Sequence, residues 1–154
     1  MPKNLADLAL DLTKAYPRSA RDFFAGYIIA GHMLDKCRAL LHGTEGEYVF
    51  GHNCRIDQIF LEFTGIKADE FKDFVATGAT DDEVAAWIQS HAKPRPPAEI
   101  AAWNFALKCG RISELPPERQ AFIQEYLIEH VRPELHRRVI FNFEMLDAEE
   151  GRLG

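Results

Sequence analysis

Cysteine is scarce and its spacing suggests no pairing: Cys37, Cys54 and Cys109 are an odd number with no C-x-x-C among them. A disulfide scaffold is excluded as the source of stability, and the pattern fits the reduced thiols of a cytoplasmic protein. Long apolar runs are missing too. Tyr27-Ile28-Ile29-Ala30 is broken by polar residues well short of the roughly 18 in a row that a membrane span needs, so no membrane partner is expected. Met1-Pro2-Lys3-Asn4 reaches Asp7 and Asp11 without the apolar stretch of about 7–15 residues that a signal peptide carries. Positive charge is in deficit, with 18 Lys+Arg against 24 Asp+Glu for a net −6. That balance argues against nucleic acid, whose backbone is gripped by clustered cations. Neither G-x-x-x-x-G-K-[ST] nor G-x-G-x-x-G occurs, so no nucleotide cofactor is implied. The six histidines form no H-x-x-x-H or H-E-x-x-H, and no metal site is expected.

What is present is apolar residue and helical spacing. The 154 residues are 47% hydrophobic and include 11 Phe, 4 Tyr and 2 Trp, which suffices for a single folded domain spanning 1–154. Leu5, Leu8 and Leu12, with Asn4 as cap, predict a helix to about Ala15 that Pro17 stops. Pro17-Arg18-Ser19 then reads as a rigid corner. Ile29, Met33, Cys37, Leu40 and Leu41 form a stripe over 28–41, closed by Gly43. Glu47-Tyr48-Val49-Phe50 is the one strand candidate.

Asn53 or Cys54 opens a helix with Ile56, Ile59, Phe60 and Phe63 inward and Gly65 at its end, and a short helix over 68–76 follows. Thr80-Asp81-Asp82-Glu83 is a capping box for a helix to His91 carrying Val84, Trp87 and Ile88. Pro94-Arg95-Pro96-Pro97 marks a connection rather than a domain boundary. Ile100, Trp103 and Leu107 give the next helix, ended by Gly110. Pro116-Pro117 introduces another, with Phe122, Ile123, Tyr126, Leu127 and Ile128 inward. Pro133 should kink it or restart it through Leu135, Val139, Phe143 and Leu146 to about Glu150. Together these readings give an all-α fold: an irregular orthogonal bundle of six to eight short helices, with at most a minor two-stranded element near Tyr48.

An ordered series runs through residues 11–90: Asp11-Leu12-Thr13, Pro17-Arg18-Ser19, Gly26-Tyr27, Asp35-Lys36 with Arg38, Gly43 with Gly46-Glu47-Tyr48, Asn53-Cys54 with Asp57, Phe63, and Asp82-Glu83 with Trp87. In this series the chain resembles a bacterial domain family of unknown function, the small helical DUF5069-like proteins. The resemblance implies no assigned activity. The chain departs from the family pattern at Ala30-Gly31-His32, where a Leu-Pro-Arg helix entry is usual, and at Gly51-His52 and Arg55 around Asn53-Cys54. Helices over 98–150 are expected to pack against the family-like segment.

The same segment collects the candidate site: Arg18, His32, Asp35, Lys36, Tyr48 and Asp57, with Cys54 beside them. His32, Asp35 and Lys36 share one flank of a helix at i, i+3 and i+4. Arg18 and Lys36 can bind a carboxylate or phosphate while Asp35 or His32 exchanges a proton. Equally, Asp35 can pair with Arg18 or Arg38 and staple the Pro17 corner to the helix. Arg18, with its planar fork, is expected to contact Asp35 or Asp57. Cys54 reads either as a nucleophile near a helix amino terminus, with His52 close in sequence, or as an inert buried thiol.

The leading functional expectation is a cytoplasmic protein that binds a small polar or anionic ligand, with catalysis left open. The alternative is a protein-interaction or homodimer-forming module that uses Trp103, Phe105, Phe122 and Tyr126 as its interface. In the last segment Leu135, Val139, Phe143 and Leu146 are expected to form core, with a partner for Phe141, Phe143 and Met145 as the alternative, and the acidic end at Glu144, Asp147, Glu149 and Glu150 is expected to be mobile or docked.

Overall fold

A computed structural model of the chain describes residues 4–138. Seven α-helices occur among them: α1 (Leu5–Leu8), α2 (Ala30–His42), α3 (Arg55–Thr64), α4 (Ala68–Val75), α5 (Asp81–His91), α6 (Pro97–Cys109) and α7 (Pro117–His130). Short 3-10 turns lie at Gly51–Asn53, Ile112–Glu114 and Pro133–Arg138. The fold is all-α. Two compact units meet in sequence between Arg95 and Pro96, inside the proline run.

The amino-terminal unit is built around α2. Ten consecutive residues, Ala30 to Ala39, are buried, so the helix is covered on every side. Met33, Leu34 and Cys37 are buried, and so are Ile28 and Ile29, Phe60 and Leu61 of α3, Phe71 and Val75 of α4, and Val84 and Ile88 of α5. His32, Asp35, Lys36 and Arg38 are buried in the same run. Burying an ionised group without a partner costs several kcal/mol, so a helix with this composition can be central only if each of them is paired. Glycine closes both α2 and α3, with Gly43 at φ 78° and Gly65 at φ 72°, the left-handed conformation a side chain disfavours. Thr80 and Glu83 complete the capping box of α5. Trp87 stacks between Phe74, at 5.5 Å between ring centroids, and His91, at 4.0 Å.

Several elements differ from their sequence expectation. The first helix ends at Leu8 rather than Ala15. The Asp11 side chain accepts from the Thr13 amide at 3.0 Å and Leu12 N–H donates to Thr44 O at 2.8 Å, so this stretch takes a local turn and a tertiary bond instead of helix. The strand candidate at Tyr48 is irregular chain, and an isolated β-bridge joins Phe24 and Tyr27. In α3 the buried stripe is Asp57, Phe60, Leu61 and Thr64, while Ile56, Ile59 and Phe63 are half-buried. The stripe holds the helical period but opens on a carboxylate, which an apolar count passes over.

The corner before α2 carries backbone strain. Phe24 and Tyr27 exchange both backbone bonds, at 2.8 and 3.0 Å, across Ala25 (φ 56°) and Gly26 (φ 88°), as in a tight two-residue hairpin turn. Ile29, fully buried, sits at φ 73° and ψ −40°, a genuine outlier for a β-branched residue. Positive φ costs a non-glycine residue about 1–2 kcal/mol, and glycine loses about 0.5–1 kcal/mol more chain entropy than alanine. Ala25→Gly is therefore expected to raise unfolding free energy by about 0.5–1 kcal/mol in chemical denaturation. A loss of stability would contradict this account of the corner.

In the carboxyl-terminal unit, Ile123 and Leu127 of α7 join Val131 and Leu135, with Ile112 and Leu115 packed against them. The chain restarts at Pro133 as expected, but as a 3-10 turn. Phe122 and Ile128, expected inward, are exposed. The expected continuation through Val139, Phe143 and Leu146 to Glu150, with Phe141, Glu144, Met145, Asp147 and Glu149, lies outside the described residues.

Candidate functional site

The ionisable residues of α2 are paired along two flanks. On one flank the Pro17 corner delivers Arg18 to Asp35. Its Nε donates to Asp35 Oδ2 at 3.1 Å, Nη2 to Oδ1 at 2.9 Å, and the Arg18 backbone N–H adds a bond to Oδ2 at 2.8 Å. This is the bidentate fork, and it reaches Asp35, not Asp57. Gly31 lies against it: a Cβ there would stand 3.4 Å from both Arg18 Nε and Phe24 Cβ, in ordinary van der Waals contact. The guanidinium also lies 5.0 Å from the centre of the Phe24 ring. His32 Nδ1–H donates to the Arg18 carbonyl at 2.8 Å, tying the helix back to the corner a second time. The Ala30-Gly31-His32 departure thus sits under the clamp.

The outer edge of that flank holds a second cation. Arg18 Nη1 donates to Asp81 Oδ2 at 3.1 Å, and Arg38 Nη1 donates to Asp81 Oδ1 at 2.7 Å. Arg38 Nη2 donates to Ala79 O at 3.0 Å. One carboxylate therefore bridges two guanidiniums, one oxygen to each. The exposures differ sharply: the Arg38 side chain is 4% exposed, Arg18 33% and Asp81 50%. Buried Arg38 Nε donates to no acceptor among the described residues. Burial works to raise the Asp81 pKa, but the bonds and charges of Arg38 and Arg18 outweigh it and hold the carboxyl below its ordinary value. Burial likewise works to depress the Arg18 pKa, and Asp35 with Asp81 reverses that and raises it.

On the other flank Lys36 turns toward the chain between α2 and α3. Its Nζ donates to Val49 O at 2.7 Å and to Cys54 Sγ at 3.1 Å, and lies 3.0 Å from Asp57 Oδ1. Asp57 Oδ2 accepts the Gly51 amide at 2.9 Å. The Lys36 and Asp57 side chains are 2% and 0% exposed. Burial pushes the Asp57 carboxyl up, and the pull of Lys36 and the Gly51 amide does not cancel it. Tyr48 meets the His32 ring edge-on at 6.3 Å between centroids.

The structure thus gathers all six candidates around α2, with His32 and Tyr48 in ring contact. They divide into an Arg18–Asp35–His32 clamp and a Lys36–Asp57 pair, each charge compensated from within the chain. Arg38 pairs with Asp81 rather than Asp35. Asp81 was hidden in the capping box, where its place at the first helical position explains it fully; nothing in the sequence spacing joins it to Arg18, 63 residues away. His52 is exposed. Among the described residues no group of three or more His, Cys, Asp or Glu is placed to hold a metal ion, and no helix is long and apolar enough to cross a membrane.

An all-α protein whose amino-terminal unit is built on a charge-bearing buried helix is the class these features define. The chain matches the family described as "Domain of unknown function (DUF5069)" over residues 14–152, and it belongs to that family. The match extends well beyond the 11–90 segment in which the resemblance was legible, through the carboxyl-terminal unit. No curated protein matches the chain.

Proposed function

We propose that the amino-terminal unit binds a small anion, a carboxylate or phosphate group, between Arg18 and Arg38 in the place taken by the Asp81 carboxylate. The observation that supports this reading is the asymmetry of that bridge: two anchored guanidiniums share one half-exposed side chain at the surface. Arg18 is fixed by Asp35 and Arg38 by Ala79 O, so both stay in position when Asp81 swings out. Asp35 compensates one of the two charges, which leaves a net single positive charge facing an incoming anion. Lys36, an expected ligand contact, is committed to Asp57, and in this reading it supports the helix rather than the ligand.

The internal carboxylate competes with the ligand. A charge-assisted bond contributes about 1.5–3 kcal/mol, so Asp81→Ala is expected to tighten anion binding about ten-fold or more. Thr80 and Glu83 still cap α5 in that variant. Thermal unfolding with inorganic phosphate and with small carboxylates, against chloride at matched ionic strength, reads this directly. The expected result is a rise in Tm for the natural chain that appears at lower anion concentration in Asp81→Ala. No anion-specific rise in either protein would overturn the reading.

A second reading, self-association, rests on the exposure of Phe105 (70%), Phe122 (50%) and Ile128 (69%) in the carboxyl-terminal unit. Light scattering separates the two: a monomer at high concentration removes this alternative and leaves anion binding untouched.

A further inference from the structure

The Lys36–Asp57 pair has a third member that ligand binding between Arg18 and Arg38 does not use. Cys54 stands at the amino-terminal cap of α3, half-buried, and makes no capping bond with its side chain. Lys36, itself almost wholly enclosed, directs one N–H to Val49 O and another to the Cys54 sulfur. Asp57 Oδ1 is fully buried and pairs with the ammonium at 3.0 Å. Lys36 Nζ thus touches both the Cys54 sulfur, at 3.1 Å, and the Asp57 carboxylate, and the Cys54 thiol hydrogen-bonds to that carboxyl. A nucleophile, a proton acceptor and an ammonium that fixes both form one cluster, the arrangement a reactive thiol requires.

We propose that Cys54 is a peroxide-reactive thiol, with Asp57 taking its proton and Lys36 stabilising the charge that develops on sulfur. The substrate class is a small hydroperoxide. As the thiol proton passes to Asp57 Oδ1, the sulfur attacks one peroxide oxygen and the O–O bond breaks. The electron pair leaves on the other oxygen, which recovers the proton and departs as water, or as an alcohol from an alkyl hydroperoxide. Sulfur is oxidised from thiol to sulfenic acid and the peroxide is reduced, so Cys–SH and H2O2 give Cys–SOH and H2O. Small size matters here, because Lys36 and Asp57 are closed to solvent and Cys54 is the half-buried member of the cluster.

The other two cysteines are internal controls. Cys37 is fully buried in α2, and burial pushes its thiol up to about 12. Cys109, at the end of α6, is half-buried like Cys54 but has no ammonium or carboxylate contact among the described residues. Exposure alone would make Cys54 and Cys109 alike, whereas the cluster makes Cys54 the faster.

The test treats the reduced full chain with hydrogen peroxide in the presence of dimedone and follows adduct formation at each cysteine by peptide mass spectrometry. Cys54 is expected to be labelled at least about ten-fold faster than Cys109, with Cys37 unlabelled. This comparison needs no variant. In Lys36→Met/Asp57→Asn, checked for folding by circular dichroism, the Cys54 rate should fall to that of Cys109. Labelling of Cys54 no faster than Cys109 in the natural chain, or an unchanged Cys54 rate in a folded double variant, overturns the proposal.

Discussion

Replacing Lys36 with methionine is expected to cost about 3–5 kcal/mol of unfolding free energy, the largest single loss at any ionisable position of α2. The substitution keeps the volume and the apolar stem but leaves the Asp57 carboxylate without a counter-charge in a fully buried position, with the Gly51 amide and the Cys54 thiol as its neutral partners. Water cannot take the place of the ammonium there. Removing the charge from both residues should be far milder, because a buried pair contributes little net stability once its desolvation is counted. Lys36→Met/Asp57→Asn keeps an oxygen for the Gly51 amide and should recover at least half of the loss. Urea denaturation of the two variants measures both quantities. A loss of about 1 kcal/mol or less in Lys36→Met, the size of an exposed pair, would show that water reaches the pair.

Arg18→Ala comes second, at about 2–3 kcal/mol. Asp35 is 6% exposed and loses both guanidinium bonds, but the backbone N–H of residue 18 still donates to it. Arg18 is itself a third exposed, so water partly replaces the fork. These two facts place the loss below that of a sealed pair and above the roughly 0–1 kcal/mol of a surface pair. Arg18→Lys should recover less than half, because a point charge cannot serve Oδ1 and Oδ2 together. Denaturant titration decides: a loss under about 1 kcal/mol would mean that the corner stands without the clamp.

The helices were legible where local signals act alone. Thr80 and Glu83, Gly43, Gly65 and the proline at 117 each fix a boundary through their own backbone chemistry, and those boundaries lie where expected. Failures came where a partner distant in sequence decides. Leu12 leaves the helical pattern because its amide is claimed by Thr44 O, and Phe122 and Ile128 keep helical spacing without a buried surface to meet.

The candidate site was half legible. The composition of α2 named His32, Asp35 and Lys36, and the Pro17 corner named Arg18, but spacing says nothing about which charge finds which. Asp81 pairs with Arg18 and Arg38 across the fold, and Cys54 gains its significance from a lysine 18 residues earlier in the chain. Such pairings follow from tertiary packing and leave no periodic trace. Burial differs between the two sets of charges: Lys36 and Asp57 are sealed, whereas Arg18 and Asp81 keep a wet edge.

Anion binding at the bridge requires that the Asp81 carboxylate can be displaced from its two arginines. Arginine-side-chain NMR, observing the Nε–Hε resonances during a titration with inorganic phosphate, tests this at the atoms concerned. Binding at the bridge predicts saturable shifts at Arg18 and Arg38, with the Asp81 amide moving in step and all three saturating at lower phosphate in Asp81→Ala. Arginine resonances that stay fixed in both proteins, or shifts confined to other arginines, would contradict it.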